Sequence, residues 1–135
     1  MPQVLLFNIA PDKLRRIRPL LSRLGVGCRV VEPADFGRAI GALCGRGDHP
    51  DAGETADGVP AAESTFTGEM LIMDSLSPYQ FSAMLEGLRR ERAAVALKAV
   101  VTDSNLGWSA ARLHRELSAE HEAMLRARAS VHGGR

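Results

Sequence analysis

Four short apolar runs, separated by segments of helical periodicity, constrain this chain more than any other feature. Val4-Leu5-Leu6-Phe7, Cys28–Val31, Met70-Leu71-Ile72-Met73 and Ala96–Thr102 are too short for stable helices. Val4–Phe7 has the continuous apolar pattern of a strand covered on both faces, Met70–Met73 is similarly buried-looking, and the other two read as short strands. Between the first two runs, Leu14, Ile17, Leu20, Leu21 and Leu24 recur at helical spacing, with Gly25 as a C-terminal stop and Pro19 expected to kink the helix. Between the last two, Ser77-Pro78-Tyr79-Gln80 has the residues of a capping box with proline at the first helical position, and Phe81, Met84, Leu85 and Leu88 form the apolar stripe. Ala34–Cys44, with Phe36, Ile40 and Leu43, predicts one or two helical turns. Ser109 caps a last helix carrying Leu113, Leu117 and Met124.

Strands alternating with helices predict an α/β fold: a single small domain, mainly parallel, with a four-stranded sheet in the order 2-1-3-4 and helices on its faces. No internal repeat is evident. The domain is expected over residues 1–128, with a frayed tail at 129–135. From Gly45 to Gly68 periodicity is lost and Gly, Asp, Ala, Pro, Glu and Thr dominate, the composition of a flexible loop.

At 135 residues the chain is long enough to bury a core without disulfides or metals. Its 17 basic against 16 acidic residues give a formal charge of +1, which makes no electrostatic case for nucleic acid or an anionic membrane as partner. Only Lys13 and Lys98 are lysines, an arginine bias that suggests a GC-rich genome. Cys28 and Cys44 stand in no redox or metal spacing and read as ordinary thiols. His114 and His121 are poorly spaced to share a metal within one helix, and neither a metal nor a cofactor is expected. No charged-then-apolar leader opens the chain and no run approaches the roughly 18 residues of a membrane span, so the expected location is the cytoplasm.

In an open parallel sheet, ligands bind beyond the carboxyl ends of the strands where the order reverses. That rule nominates Asn8, Asp74, Ser75, Thr102 and Asn105, of which Asn8, Asp74, Thr102 and Asn105 are expected to form a polar crevice. Asp74, at the end of a central strand with Thr102 one strand over, resembles the phosphoacceptor arrangement of signalling receiver domains. The chain departs from that pattern: Asn8-Ile9-Ala10 stands where an acidic pair belongs, and no fifth strand carries a lysine. No nucleophile elbow or glycine-rich phosphate loop is present.

A second resemblance is carried by Leu97-Lys98-Ala99-Val100-Val101-Thr102 with Asn105 and Trp108, then Glu116-Leu117 and Glu120-His121. These residues resemble the small bacterial family catalogued as domain of unknown function 3783, most clearly from Glu69 to Leu125. Its motif maps here onto Lys98, Thr102, Asn105, Trp108, Glu120 and His121. The resemblance implies a cytoplasmic bacterial protein of unassigned activity and carries over no catalytic residue. Independently of it, Lys98 reads as an outward lysine on an edge strand, and Trp108 as a ring packed under the last helix.

The functional expectation is a non-catalytic module that binds a small ligand or regulates a partner. Its alternatives are an enzyme or phosphoacceptor acting through Asp74, and a protein-interaction domain, including a homodimer.

Overall fold

The computed structural model describes residues 2–45 and 66–133, the last five of these as backbone only. Most of the loop expected from Gly45 to Gly68 therefore lies outside the described residues. In chain order the elements are β1 (Gln3–Phe7), α1 (Pro11–Arg23), β2 (Gly27–Val30), a 3-10 turn (Pro33–Asp35), α2 (Ile40–Leu43), β3 (Met70–Asp74), α3 (Pro78–Arg90), β4 (Lys98–Val100) and α4 (Ala110–Gly133). The sheet has the expected order β2-β1-β3-β4.

One strand direction differs from expectation. β1 pairs with β2 in parallel and β3 with β4 in parallel, but the central pair β1 and β3 is antiparallel, with Gln3 opposite Asp74 and Phe7 opposite Met70. The sheet is thus mixed. A single crossover helix forces parallel neighbours only within each β-α-β unit. Among the described residues between β2 and β3 there is no such crossover helix, only the 3-10 turn and the four-residue α2. The chain leaves β2 beside the Phe7 end of β1 and enters β3 at that same end, so β3 runs straight back.

Local chemistry accounts for the helices. Ser77 Oγ accepts from the Gln80 backbone N–H at 3.1 Å and Gln80 Oε1 accepts from the Ser77 N–H at 2.9 Å, closing the expected capping box ahead of Pro78. Gln80 Nε2 also donates to the Leu24 carbonyl at 3.0 Å, which ties the start of α3 to the end of α1. Helix α1 continues through Pro19 to Arg23. The last helix is helical to Gly133.

Period-two alternation in the central strands divides the core. Val4, Leu6, Leu71 and Met73 face α1 and α3, packing with Ile17, Leu20, Leu21, Met84 and Leu88. Leu5, Phe7, Met70 and Ile72 point the other way, onto Phe36, Ile40, Leu43 and Leu113.

The antiparallel centre also gives the backbone an approximate two-fold repeat. Leu5 lies opposite Ile72 at the middle of the β1–β3 register. Asn8 and Ser75, each at positive φ, follow β1 and β3; Pro11 and Pro78 open α1 and α3; Gly25 and Arg92, again at positive φ, follow those helices. The Val31 N–H donates to the Leu6 carbonyl as Val101 donates to Met73. On the far side the exchange is reciprocal: Ile40 donates to Trp108 and Gly41 to Leu106, while Ala110 donates to Arg38 and Ala111 to Phe36, around a bridge between Ala39 and Ser109.

On the helical side the same axis passes between Leu20 and Gly87. A Cβ built on Gly87 would lie 2.5 Å from Leu20 Cδ1, so the two helices cross with a large residue set against none. Replacing a helical glycine by alanine ordinarily stabilises by about 1 kcal/mol. Here Gly87→Ala is expected to destabilise, because overpacking of a buried side chain costs about 1–3 kcal/mol. In a denaturation double-mutant cycle, Leu20→Ala with Gly87→Ala should lose less than the sum of the single changes; strict additivity would show that the crossing is not tight.

Candidate functional site

The sheet's mixed direction decides which nominated residues meet. Asp74 ends β3 beside Gln3, and Thr102 and Asn105 follow β4 at the same end. Asn8 ends β1 at the opposite end, about a strand length, roughly 15 Å, away. The four residues therefore do not form one crevice, since that grouping required β1 and β3 to run in the same direction.

Asp74 is only 4% exposed. Its Oδ2 accepts from Gln3 Nε2 and its Oδ1 from Ser75 Oγ, both at 2.9 Å. Gln3 Nε2 also donates to the Cys44 carbonyl at 2.9 Å, so the carboxylate helps join β3, β1 and the end of α2. Asn105, 8% exposed, serves the chain in a similar way. Its Oδ1 accepts from the Thr102 N–H at 2.9 Å and its Nδ2 donates to the Val100 carbonyl at 3.1 Å, while Thr102 Oγ1 accepts from the Asn105 N–H at 3.3 Å. This closes the turn after β4 and satisfies backbone groups that would each cost about 1–3 kcal/mol if buried unpaired.

At the other end, Asn8 Nδ2 donates to the carbonyls of Phe66 at 2.8 Å and Gly68 at 3.1 Å, clamping the entry to β3. Phe66 stacks between Phe36 (centroids 4.3 Å apart) and His114 (4.0 Å). His114 Nε2 is buried without a hydrogen-bond partner among the described residues, and its Nδ1 lies 3.5 Å from Ser118 Oγ. Desolvation holds the His114 pKa below the usual histidine value, so burial favours the neutral ring.

The remaining motif positions divide between scaffold and surface. Lys98 is exposed on β4, an edge strand, and its Nζ donates to the Val95 carbonyl. Trp108 packs against the core and carries the Arg112 guanidinium over its ring at 4.1 Å. Glu120 and His121 are exposed on α4, as is every described side chain from Ala119 to Arg128. Cys28 is half buried, which raises its thiol pKa despite the opposing effect of Arg18. Among the described residues no group of His, Cys, Asp or Glu is placed to hold a metal ion, and no helix is long and apolar enough to cross a membrane.

A recess absent from the sequence-based nomination lies over the α1–α3 crossing. It measures about 330 Å³ and is lined by Leu20, Arg23, Leu24, Tyr79, Ala83, Glu86 and Arg90. Tyr79 is 74% exposed. It stands off the Phe81–Met84–Leu85–Leu88 stripe, so its position outside the core was readable from helical spacing. The arginines were not, because their meeting depends on how the helices cross.

Residues 69–124 match the family model described as Domain of unknown function (DUF3783). The Leu97–His121 resemblance falls within that span. The span begins at β3, so it takes in the second half of the approximate repeat and part of α4, while β1 to α2 lie outside it. Neither the curated proteins nor the solved structures contain a significant match to the chain.

The half-buried ring of His114 sets a pH dependence. Unfolded, it takes up a proton as pH falls through about 6.5. Folded, its lowered pKa resists protonation, so stability is full above that pH and is lost between it and the folded pKa. Thermal denaturation should show a lower Tm at pH 5.5 than at pH 7.5, with a smaller difference in His114→Phe. Equal differences in the two proteins would remove His114 as the cause.

Proposed function

Starting from a chain whose residues 69–124 are a DUF3783 match, we propose a non-catalytic binding or regulatory module whose strand-end polar residues build the fold. The observation that carries this reading is the state of Asp74. It is buried, and both of its oxygens accept hydrogen bonds from within the chain. A phosphoacceptor needs an accessible carboxylate oxygen for in-line attack. Asn105 likewise spends its donor and acceptor on the backbone around it.

A second reading, self-association, has its own observation. Beyond Ser118, α4 extends clear of the domain, with Met124 55% and Leu125 51% exposed. A helix with exposed apolar side chains suits the groove of another helix or a second copy. Sedimentation should then show a concentration-dependent dimer that Met124→Ser with Leu125→Ser disperses; a monomer at every concentration would count against it.

For the main reading, incubation with an acyl-phosphate donor and Mg²⁺ should leave Asp74 unlabelled by intact-mass measurement. Stoichiometric labelling of the wild type, absent in Asp74→Asn, would replace this reading with the phosphoacceptor one.

A further inference from the structure

The formal charge of +1 conceals an uneven distribution. Helices α1 and α3 together carry Lys13, Arg15, Arg16, Arg18, Arg23, Arg89 and Arg90 against Asp12 and Glu86. That layer is five units positive, which leaves the rest of the chain four units negative. A field concentrated on one face acts on partners at a distance that the net charge does not reveal.

Several of these cations are already engaged. Lys13 Nζ pairs with Glu69 at 2.7 Å, Arg15 with Asp12 at 3.6 Å, and Arg16 Nη1 donates to the Arg92 carbonyl at 3.3 Å. Arg23 and Arg90 differ. Both are exposed, both line the recess over the Leu20–Gly87 crossing, and neither is hydrogen-bonded or ion-paired among the described residues. They occupy equivalent places in the repeat, each three residues beyond its helix's position on the axis. Tyr79 lies beside them, over a floor of Leu20, Leu24 and Ala83.

We infer that this recess and the basic layer around it dock an acidic segment of a partner protein, whose carboxylates meet Arg23 and Arg90 while an apolar side chain rests beside Tyr79. This deepens, and rests on, the binding-module reading. Guanidinium forks match carboxylates in geometry as well as charge, and tyrosine and arginine are over-represented among residues that dominate protein interfaces. Glu86 on the recess wall and Asp12 on the same layer favour a polypeptide, whose charge can be spaced around them, over a uniformly charged nucleic-acid backbone. The chain's isoelectric point of about 7.9 is also below that of a typical nucleic-acid-binding domain. A small anion would stay largely wet between side chains this exposed, whereas small-molecule sites bury most of their ligand.

The probe is a fluorescein-labelled peptide of Asp, Glu and Leu, followed by anisotropy with the full chain. Saturable binding is expected, weakening as salt rises from about 0.01 M to 0.1 M and the screening length falls from roughly 30 to 10 Å. Arg23→Glu with Arg90→Glu should weaken binding by roughly tenfold, about 1.4 kcal/mol. Arg126→Glu with Arg128→Glu on α4 makes the same charge change away from the recess and should weaken it far less. A thermal melt of the first variant close to that of the wild type confirms that it folds. Equal weakening by the two variants, or none by either, overturns the proposal. Tighter binding of a single-stranded oligonucleotide than of the peptide overturns it in favour of nucleic acid. None of these outcomes bears on Asp74, so failure of the docking surface is distinct from failure of the non-catalytic reading.

Discussion

When β1 and β3 exchange backbone hydrogen bonds in opposite directions, the placement of nearly every other group follows. The two β-α-β units come to lie head to tail, α1 and α3 meet on one face, and the turns after β2 and β4 reach across each other on the opposite face. Both faces of the central strands are then covered, and the interior of β3 is buried along its whole length. Short strands suffice because the central pair needs no further edge.

That one direction separates what could be read in the chain from what could not. Strand positions, strand order and the α3 cap follow from local patterns: continuous apolar runs, helical spacing, and Ser77-Pro78 with Gln80. The direction of β3 follows from where the chain re-enters the sheet, and no residue near Met70 encodes that locally. Placing Asn8 with Asp74 depended on it. The expected edge position of β4 is found, although the strand is Lys98–Val100, shorter than the Ala96–Thr102 run.

The repeat was hidden for a related reason. What the halves share is backbone: left-handed residues at Asn8 and Ser75, and reciprocal donors at Ile40 and Ala110. Only a few side chains at equivalent places match, as Pro11 with Pro78 and Arg23 with Arg90 do, while others differ in size and polarity, as Gly25 and Arg92 do. Polar residues at strand ends invited a functional reading because a ligand crevice and a well-satisfied turn draw on the same residue types, Asn, Asp, Ser and Thr. Only the geometry of their bonds separates the two. Asn105 spends its bonds on Thr102 and Val100, whereas Arg23 and Arg90 make none among the described residues.

The crossing of Leu20 with Gly87 has a consequence for how such a domain can be assembled at all. On a true two-fold axis both positions would hold the same residue. Two leucines would collide, and two glycines would leave the interior hollow. A pair of identical units could satisfy neither requirement well. Joined in one chain, the halves are free to differ at the single place where symmetry is hardest to keep, and here one supplies the bulk while the other supplies the room.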